Sequence, residues 1–354
     1  MTRAVIGSML GIANDEVAVL IADNSENSEK HEFLRKIRGI NPNIIAIAHE
    51  KNIGAQNNFS YLMEWCQDTE FCAIMADDDW MSPTYHIDAF QLLRNNSGTS
   101  CAEVGSTFVD MGDGKLVNVS QPAMLGLAPI ERIRQWSAIA ARATMYNASR
   151  RATLENAIQY LKTSPLHGLT LSEDLWELNR LALGDFIAQP GQGSFVHYPA
   201  HGSRVGDATQ RYYDLLCKDL GLQYPFVFFT GLSTAIQCAL FLIGSLSPLG
   251  DGNQKILCSQ HVFSHIYLKS FLPMVSAESS HKAAAMLFAS HPRALEGFLT
   301  FCNPPFSQNP IFNRAIVDWF IEIIKVFETK PLDDAPLLSE KFSHFVDKIL
   351  AGVF

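Results

Sequence analysis

Three carboxylates stand side by side at Asp77, Asp78 and Asp79, directly after the apolar run Phe71 to Ala76 and just before Trp80-Met81-Ser82-Pro83. Adjacent acids repel one another unless a cation sits among them. Hard oxygen ligands suit Mg²⁺ or Mn²⁺, which can in turn grip a diphosphate. A second acidic pair, Glu173 and Asp174, stands where a helical run begins. Neighbouring carboxylates push their pKa values apart, which helps one of them act as a base. Each feature also has a plainer reading. The triplet alone could be a solvated acidic turn with an N-cap, and Glu173 and Asp174 could simply complement a helix dipole. His261 and His265 have the i, i+4 spacing of metal ligands on one helix face. No acid lies between them and their flanks are apolar, so they read as core or interface histidines.

The elements that must position these groups follow from the apolar pattern. Phe71 to Ala76 reads as a buried strand of a parallel sheet, and Pro83 opens a helix. Val17 to Ala22 and Asn43 to Ala48 read as two earlier strands. Helices are predicted over Glu26 to Ile37, with Phe33, Leu34 and Ile37 inward, and through Phe59, Leu62, Met63 and Cys66. This alternation within roughly 60 residues implies βαβ units. Open α/β sheets bind ligands beyond the carboxyl ends of their strands, which is where the acid triplet falls. Further on, Glu103 to Val119 reads as a hairpin with a turn at Gly112-Asp113-Gly114. Ile130 to Ala141, Ser149 to Leu161 and Leu171 to Leu183 read as helices, and Asp185 to Ala188 and Gly193 to Tyr198 as short strands. From Gly206 onward the patterns are helical.

Composition limits the partners. The 354 residues carry a net charge of −9 with no basic tract, which argues against nucleic acid as a partner. Seven cysteines, odd in number and without a CxxC pair, suit a reducing compartment. No apolar leader follows Met1, so a cytoplasmic location is expected, with a place at the inner face of a membrane left open. Tyr224 to Leu249 is free of charge and about long enough to cross a bilayer, which takes roughly 20 apolar residues. Polar residues, prolines and glycines interrupt it, so it reads as a buried helix, or two short ones, in preference to a membrane span.

Five segments in order resemble the inverting family-2 glycosyltransferases of the GT-A fold. They are Ile21-Ala-Asp-Asn-Ser25, Asn52-Ile-Gly-Ala-Gln-Asn-Asn-Phe59, Asp77-Asp-Asp-Trp-Met-Ser-Pro83, Met145-Tyr-Asn-Ala-Ser-Arg-Arg151, and Ser172-Glu-Asp-Leu-Trp176 with Tyr198-Pro-Ala-His-Gly-Ser203 downstream. The resemblance covers about residues 3 to 204. It implies transfer of a sugar from a nucleotide-diphosphate donor to a hydroxyl of a glycan or lipid-linked glycan acceptor. It implies that Asp23 meets the nucleotide base, Asn58 helps shape the donor site, and Asp77 lies near the ribose. Asp78 and Asp79 would hold Mn²⁺ or Mg²⁺, with His201 as a further metal or phosphate contact. Asp174 would be the base and Glu173 would orient it or touch the acceptor. Trp80 and Trp176 would wall the sugar pocket or pack in the core.

The chain departs from the family at its beginning, where Met1 falls at the first helix and the usual opening strand is absent. A start upstream, a decayed relative and another segment in that slot are the competing explanations. Pro199 also stands where the family often has Arg. The expected architecture is therefore α/β and GT-A-like, a mostly parallel sheet with flanking helices over residues 1–204. An all-α region follows over residues 205–354, for which a peripheral membrane contact stays open. The rival reading is a catalytically inactive GT-A-like scaffold that acts through its helical half.

Overall fold

The structure, a computed structural model, describes residues 9–75, 80–82, 84–109, 115–118, 121–139, 146–167, 172–189, 195–197, 221–222, 227–276, 278–328 and 336–352. The chain divides into two compact units. The first is built from Met1–Leu127, Ile139–Glu155 and Leu183–Val205, and the second from Ala128–Ala138, Asn156–Ala182 and Gly206–Phe354.

The first unit holds the strands. β1 (Val19–Asp23) and β2 (Ile44–Ala48) pair in parallel, with Val19 opposite Ile44 and Asp23 opposite Ala48. The crossover between them is α1 (Ser28–Ile37). Its first turn is capped by Asn27, whose side chain accepts from the amides of Glu29 and Lys30. Leu34 and Ile37 turn inward and pack with Ala46, while Arg38, just past the helix, donates to the Ala46 carbonyl at 3.1 and 2.6 Å. α2 (Ala55–Trp65) leads to β3 (Phe71–Cys72), then β4 (Trp80–Met81) and α3 (Tyr85–Asn95). β5 (Thr99–Glu103) is buried at all five positions. β6 (Ser106–Val109) and β7 (Leu116–Asn118) form the predicted antiparallel hairpin. After β8 (Ala148–Arg150), β9 (Asp185–Ala188) and β10 (Phe195–His197) complete two four-stranded sheets, ordered β3-β8-β5-β9 and β4-β10-β6-β7. Pairing is parallel in β5–β9 and β6–β10 and antiparallel at the shorter strands.

Two sequence expectations need correction here. The Phe71 run pairs at only two positions, Phe71 with Arg150 and Cys72 with Ser149, and it does so antiparallel. The Arg151 amide donates to the Glu70 carbonyl and the Arg150 guanidinium lies 5.2 Å over the Phe71 ring, so β8 occupies this edge. Ile74, beyond the ladder, is still buried. The helix expected from Ser149 starts later. Ala148–Arg150 is strand, Arg151–Leu154 is a 3₁₀ turn, and helix begins at Glu155. Three strand residues are too few to carry a period of their own, and pairing with β3 and β5 decides for strand.

The second unit is helical in its described residues: α4 (Pro129–Ala138), α5 (Glu155–Thr163), α6 (Ser172–Leu183), α7 (Val227–Ile243), α8 (Gly252–Ile266), α9 (Leu272–Ser276), α10 (Glu278–Phe288), α11 (Pro292–Phe301), α12 (Arg314–Phe327) and α13 (Leu338–Leu350). The charge-free stretch becomes α7, with Leu232, Ala235, Ile236 and Cys238 to Leu242 wholly buried. Its polar side chains are satisfied inside the unit, as Gln237 donates to the Leu166 carbonyl and to Ser233 Oγ. Among the described residues no helix is long and apolar enough to cross a membrane. His261 meets Ser137 Oγ at 3.2 Å and His265 faces the Trp136 ring, so both histidines fasten α8 to α4. α11, which the apolar pattern did not announce, is held to α12 by Trp319, whose indole donates to the Ala294 carbonyl at 3.1 Å.

Gly297 on α11 marks the closest approach in that helix pair, because a Cβ there would fall on the Trp319 ring. Gly297→Ala should lower stability by about 1–3 kcal/mol, the usual cost of overpacking. Equilibrium urea unfolding checks this, and an unchanged midpoint would show that Trp319 can move aside.

Candidate functional site

Parallel pairing fixes which way β1 presents its groups. Val19 donates to the Asn43 carbonyl and the Asp23 carbonyl accepts from His49, so alternate residues 19, 21 and 23 face β2. Leu20 and Ala22 then direct their peptide groups to the opposite edge. The Ala22 carbonyl there accepts from Asn58 Nδ2 at 3.3 Å. Asn58 lies in the first turn of α2, and its Oδ1 lies 2.9 Å from His49 Nε2. A single amide thus joins the ends of both parallel strands.

The loops beyond those strand ends are tied together as well. Asn24 Nδ2 donates to Asn52 Oδ1 at 3.0 Å, and Asn24 Oδ1 accepts from the Ile53 amide at 2.8 Å. Asn52 Oδ1 also accepts from the Gly54 amide. Gly54 has φ of 84°, a backbone region that favours glycine, and it starts α2. The two motif segments, Asp23-Asn24-Ser25 and Asn52 to Asn58, therefore form one hydrogen-bonded platform. Asp23 sits on it with its side chain 11% exposed. Its Oδ1 accepts from the Ser25 amide at 3.2 Å, and its Oδ2 accepts from Ser25 Oγ at 3.0 Å. A carboxylate fixed by donors and still 11% exposed can accept a hydrogen bond from a ligand.

Sequence reasoning placed Asp23 and Asn58 here and missed His31, His49, Asn24 and Asn52. His31 Nε2 lies 3.2 Å from Asp23 Oδ2. It stands eight residues along the chain, on α1, and only the capped turn at Asn27 brings it back. Asn24 and Asn52 belong to the quoted motifs, whose composition signals a turn but does not say that the two turns bond to each other.

Glu173 and Asp174 open α6 in the second unit. From Leu175 to Ala182 this helix is buried, and Trp176 packs in the core at 3% exposed. Glu177 and Arg180, one turn on, form an ion pair with both side chains buried. Arg132 from α4 donates to the Leu181 carbonyl at 2.6 Å, capping the helix end with a cation that complements its dipole. Glu173 Oε2 is buried with no hydrogen-bond partner among the described residues. Burial pushes this carboxyl up to about 7, its own backbone amide offsets part of the rise, and the neighbouring Asp174 charge adds to it. Asp77, Asp78, Asp79 and His201 lie outside the described residues, and among the described residues no group of three His, Cys, Asp or Glu could hold a metal ion.

The raised carboxyl has a consequence for stability. Between the ordinary carboxylate range and about 7 the folded chain keeps a proton at Glu173 that the unfolded chain has released. Stability contributed by the neutral acid is therefore lost as pH rises through this window. Glu173→Gln should raise Tm relative to the parent at pH 8 and change it little at pH 4.5. Thermal unfolding at the two values checks this, and an equal difference at both would mean Glu173 is not held neutral.

No family model matches the sequence, and no curated protein does. Solved structures do match. S. aureus TarS 1-349 in complex with UDP-GlcNAc superposes with a TM-score of 0.58 at 10% identity, over 99% of this chain and 88% of that one. The complex of the same protein with UDP gives 0.53 at 10% identity over the same shares. A longer TarS chain gives 0.55 at 11% identity, and this chain spans 52% of its length. At such identity the likeness is one of fold: α/β, GT-A-like, with an all-helical C-terminal region.

Proposed function

We propose that this chain is a glycosyltransferase that moves a sugar from a nucleotide-diphosphate sugar to a hydroxyl acceptor, with inversion, in the synthesis of a surface glycan. The observation that carries this reading is the platform at the ends of β1 and β2. Two segments resembling family-2 glycosyltransferase motifs, 28 residues apart in Asn24 and Asn52, are bonded into one surface that presents Asp23. That surface lies beyond the carboxyl ends of parallel strands, where open α/β sheets bind nucleotides. The fold likeness to a protein solved with UDP-GlcNAc supports the choice of a nucleotide-sugar donor.

The roles are those that the family resemblance implies. Asp23 accepts from the base, and Asn58 holds the loop that shapes the donor pocket. Asp78 and Asp79 would bind Mn²⁺ or Mg²⁺, with Asp77 toward the ribose and His201 as a further ligand; a divalent cation supplies charge neutralisation for the departing diphosphate. Asp174 takes the proton as the acceptor oxygen bonds to the anomeric carbon and the bond from that carbon to the diphosphate oxygen breaks. Glu173, whose carboxyl burial pushes up to about 7, carries less than a full negative charge beside Asp174 near neutral pH. The acceptor would be a glycan or lipid-linked glycan, reached at a membrane face in the latter case.

Asp174→Asn should reduce transfer by about 10²-fold or more while donor affinity stays within about twofold, as loss of a general base requires. Steady-state turnover and calorimetric donor binding measure the two, and a fully active variant would remove Asp174 from the reaction. Asp79→Asn should weaken nucleoside diphosphate binding in Mn²⁺ by about tenfold or more and leave metal-free binding unchanged. Equal affinity in Mn²⁺ would show that this acid holds no cation.

A further inference from the structure

The segment Met145 to Arg151 supplies none of the groups assigned to the donor or the base, yet it ends in two adjacent arginines turned inward, Arg150 and Arg151, with side chains 20% and 5% exposed. β8, which carries Arg150, lies between β3 and β5. In the chain β3 follows α2 and β5 follows α3, and each arginine reaches back to one of those helices. Arg151 Nε donates to the Met63 carbonyl at 3.2 Å, and its Nη1 donates to Glu155 Oε2 at 2.7 Å. Arg150 Nε donates to the Thr99 carbonyl of β5 at 2.8 Å, and its Nη2 donates to the carbonyls of Leu93 and, at 3.2 Å, Asn96. Met63 and Leu93 stand in the last turns of α2 and α3, whose carbonyls lack the usual helical partner and where the dipole favours a cation. Tyr146, earlier in the same segment, accepts through its carbonyl from His86 Nε2 at 3.3 Å, in the first turn of α3. One segment thus fastens α3 at both its first and last turns and α2 at its last turn.

Both helices begin at donor-site segments. α2 carries Asn58 of the platform in its first turn, and α3 opens at Tyr85, shortly after Asp77, Asp78 and Asp79 in the chain. We propose that Arg150 and Arg151 are positioning residues that hold these two segments in one frame, Arg151 acting through α2 on the platform that presents Asp23 and Arg150 acting through α3 on the acid triplet. The proposal rests on the donor-site reading given above.

A donor that meets the platform with its base and a cation with its diphosphate depends on the distance between the two. A misplacement of about 1 Å is enough to weaken such a site strongly. A helix is stiff along its axis, so freeing its last turn lets its first turn swing. Arginine suits the task because its rigid fork bonds a strand carbonyl and a helix carbonyl at once, as Arg150 does with Thr99 and Leu93. A lysine ammonium, on a flexible stem, keeps the charge and loses that geometry.

The test is calorimetric binding of UDP, GDP, CDP and ADP, each with and without Mn²⁺, to the parent chain, to Arg150→Gln and Arg151→Gln, and to the corresponding Lys variants, each held well below its own Tm. The nucleotide that the parent binds most tightly is then followed. Arg150→Gln should keep metal-free affinity within about twofold of the parent and cut the gain on adding Mn²⁺ by about tenfold. Arg151→Gln should weaken metal-free binding by about tenfold and keep the Mn²⁺ gain within about threefold. Each Lys variant should show the loss of its Gln counterpart in milder form, about threefold, and it takes the place of a Gln variant that does not fold. Variants that lower Tm but keep both quantities as in the parent show the two arginines to be merely structural and overturn the proposal. Losses of both quantities in equal proportion in the Arg150 and Arg151 variants overturn it as well, with the donor-site reading intact. A parent that binds a nucleotide but gains nothing from Mn²⁺ overturns the metal reading of the acid triplet, and the proposal with it. A folded parent that binds none of the four overturns the donor-site reading itself.

Discussion

The last rung of the β1–β2 ladder, from the His49 amide to the Asp23 carbonyl at 3.0 Å, is the constraint from which the candidate site follows. It ends the parallel pair at a defined register, and the two chains must leave the sheet there together. Asp23 then points its carboxylate beyond the sheet, and the His49 ring turns to Asn58. Without that rung, Asn24 and Asn52 would have no reason to meet. A slip of one residue would put Ala22 where Asp23 stands, since side chains alternate along a strand. The apolar fit of Leu34 and Ile37 against Ala46 guards the register from below.

The two units solve the problem of buried polarity in different ways. In the first, polar side chains at the strand ends bond to backbone carbonyls and amides in short loops, and the result is a rigid, partly open surface. In the second, the helix that carries Glu173 and Asp174 is buried along most of its length and contains a buried ion pair, Glu177 with Arg180. Such pairs add little net stability but are costly to break, which favours one arrangement of the helix over others. A carboxylate at the mouth of a fixed helix keeps its direction.

Much of this was legible in the sequence. Parallel strands β1 and β2, their crossover helix, the β6–β7 hairpin and the burial of α7 all follow from apolar spacing and turn residues. That Asp23 and Asn58 both stand near the ends of the parallel pair was legible through the order of the motifs. Three things were not. The run at Phe71 looked like a long parallel strand because Phe-Cys-Ala-Ile-Met is apolar throughout, and an apolar run says nothing about the partner's direction. The segment after Ser149 suits helix and strand alike, and the choice was made by β3 and β5 on either side. His31 was invisible as a site residue because its approach to Asp23 depends on a turn of five residues folding back, which no spacing rule encodes.

The helical unit gathers Ala128–Ala138, Asn156–Ala182 and Gly206–Phe354 from across the chain. Tyr160 of α5 packs edge-on against both Phe241 of α7 and Phe345 of α13, and Ser164 bonds to Gln237. During synthesis, α5 must therefore wait, its aromatic face uncovered, until α13 has left the ribosome. A chain cut at Val205 would separate α4, α5 and α6 from the helices they pack on. The polypeptide is two bodies in space but a single unit of biosynthesis, and neither body can be inherited, exchanged or expressed as a simple terminal half.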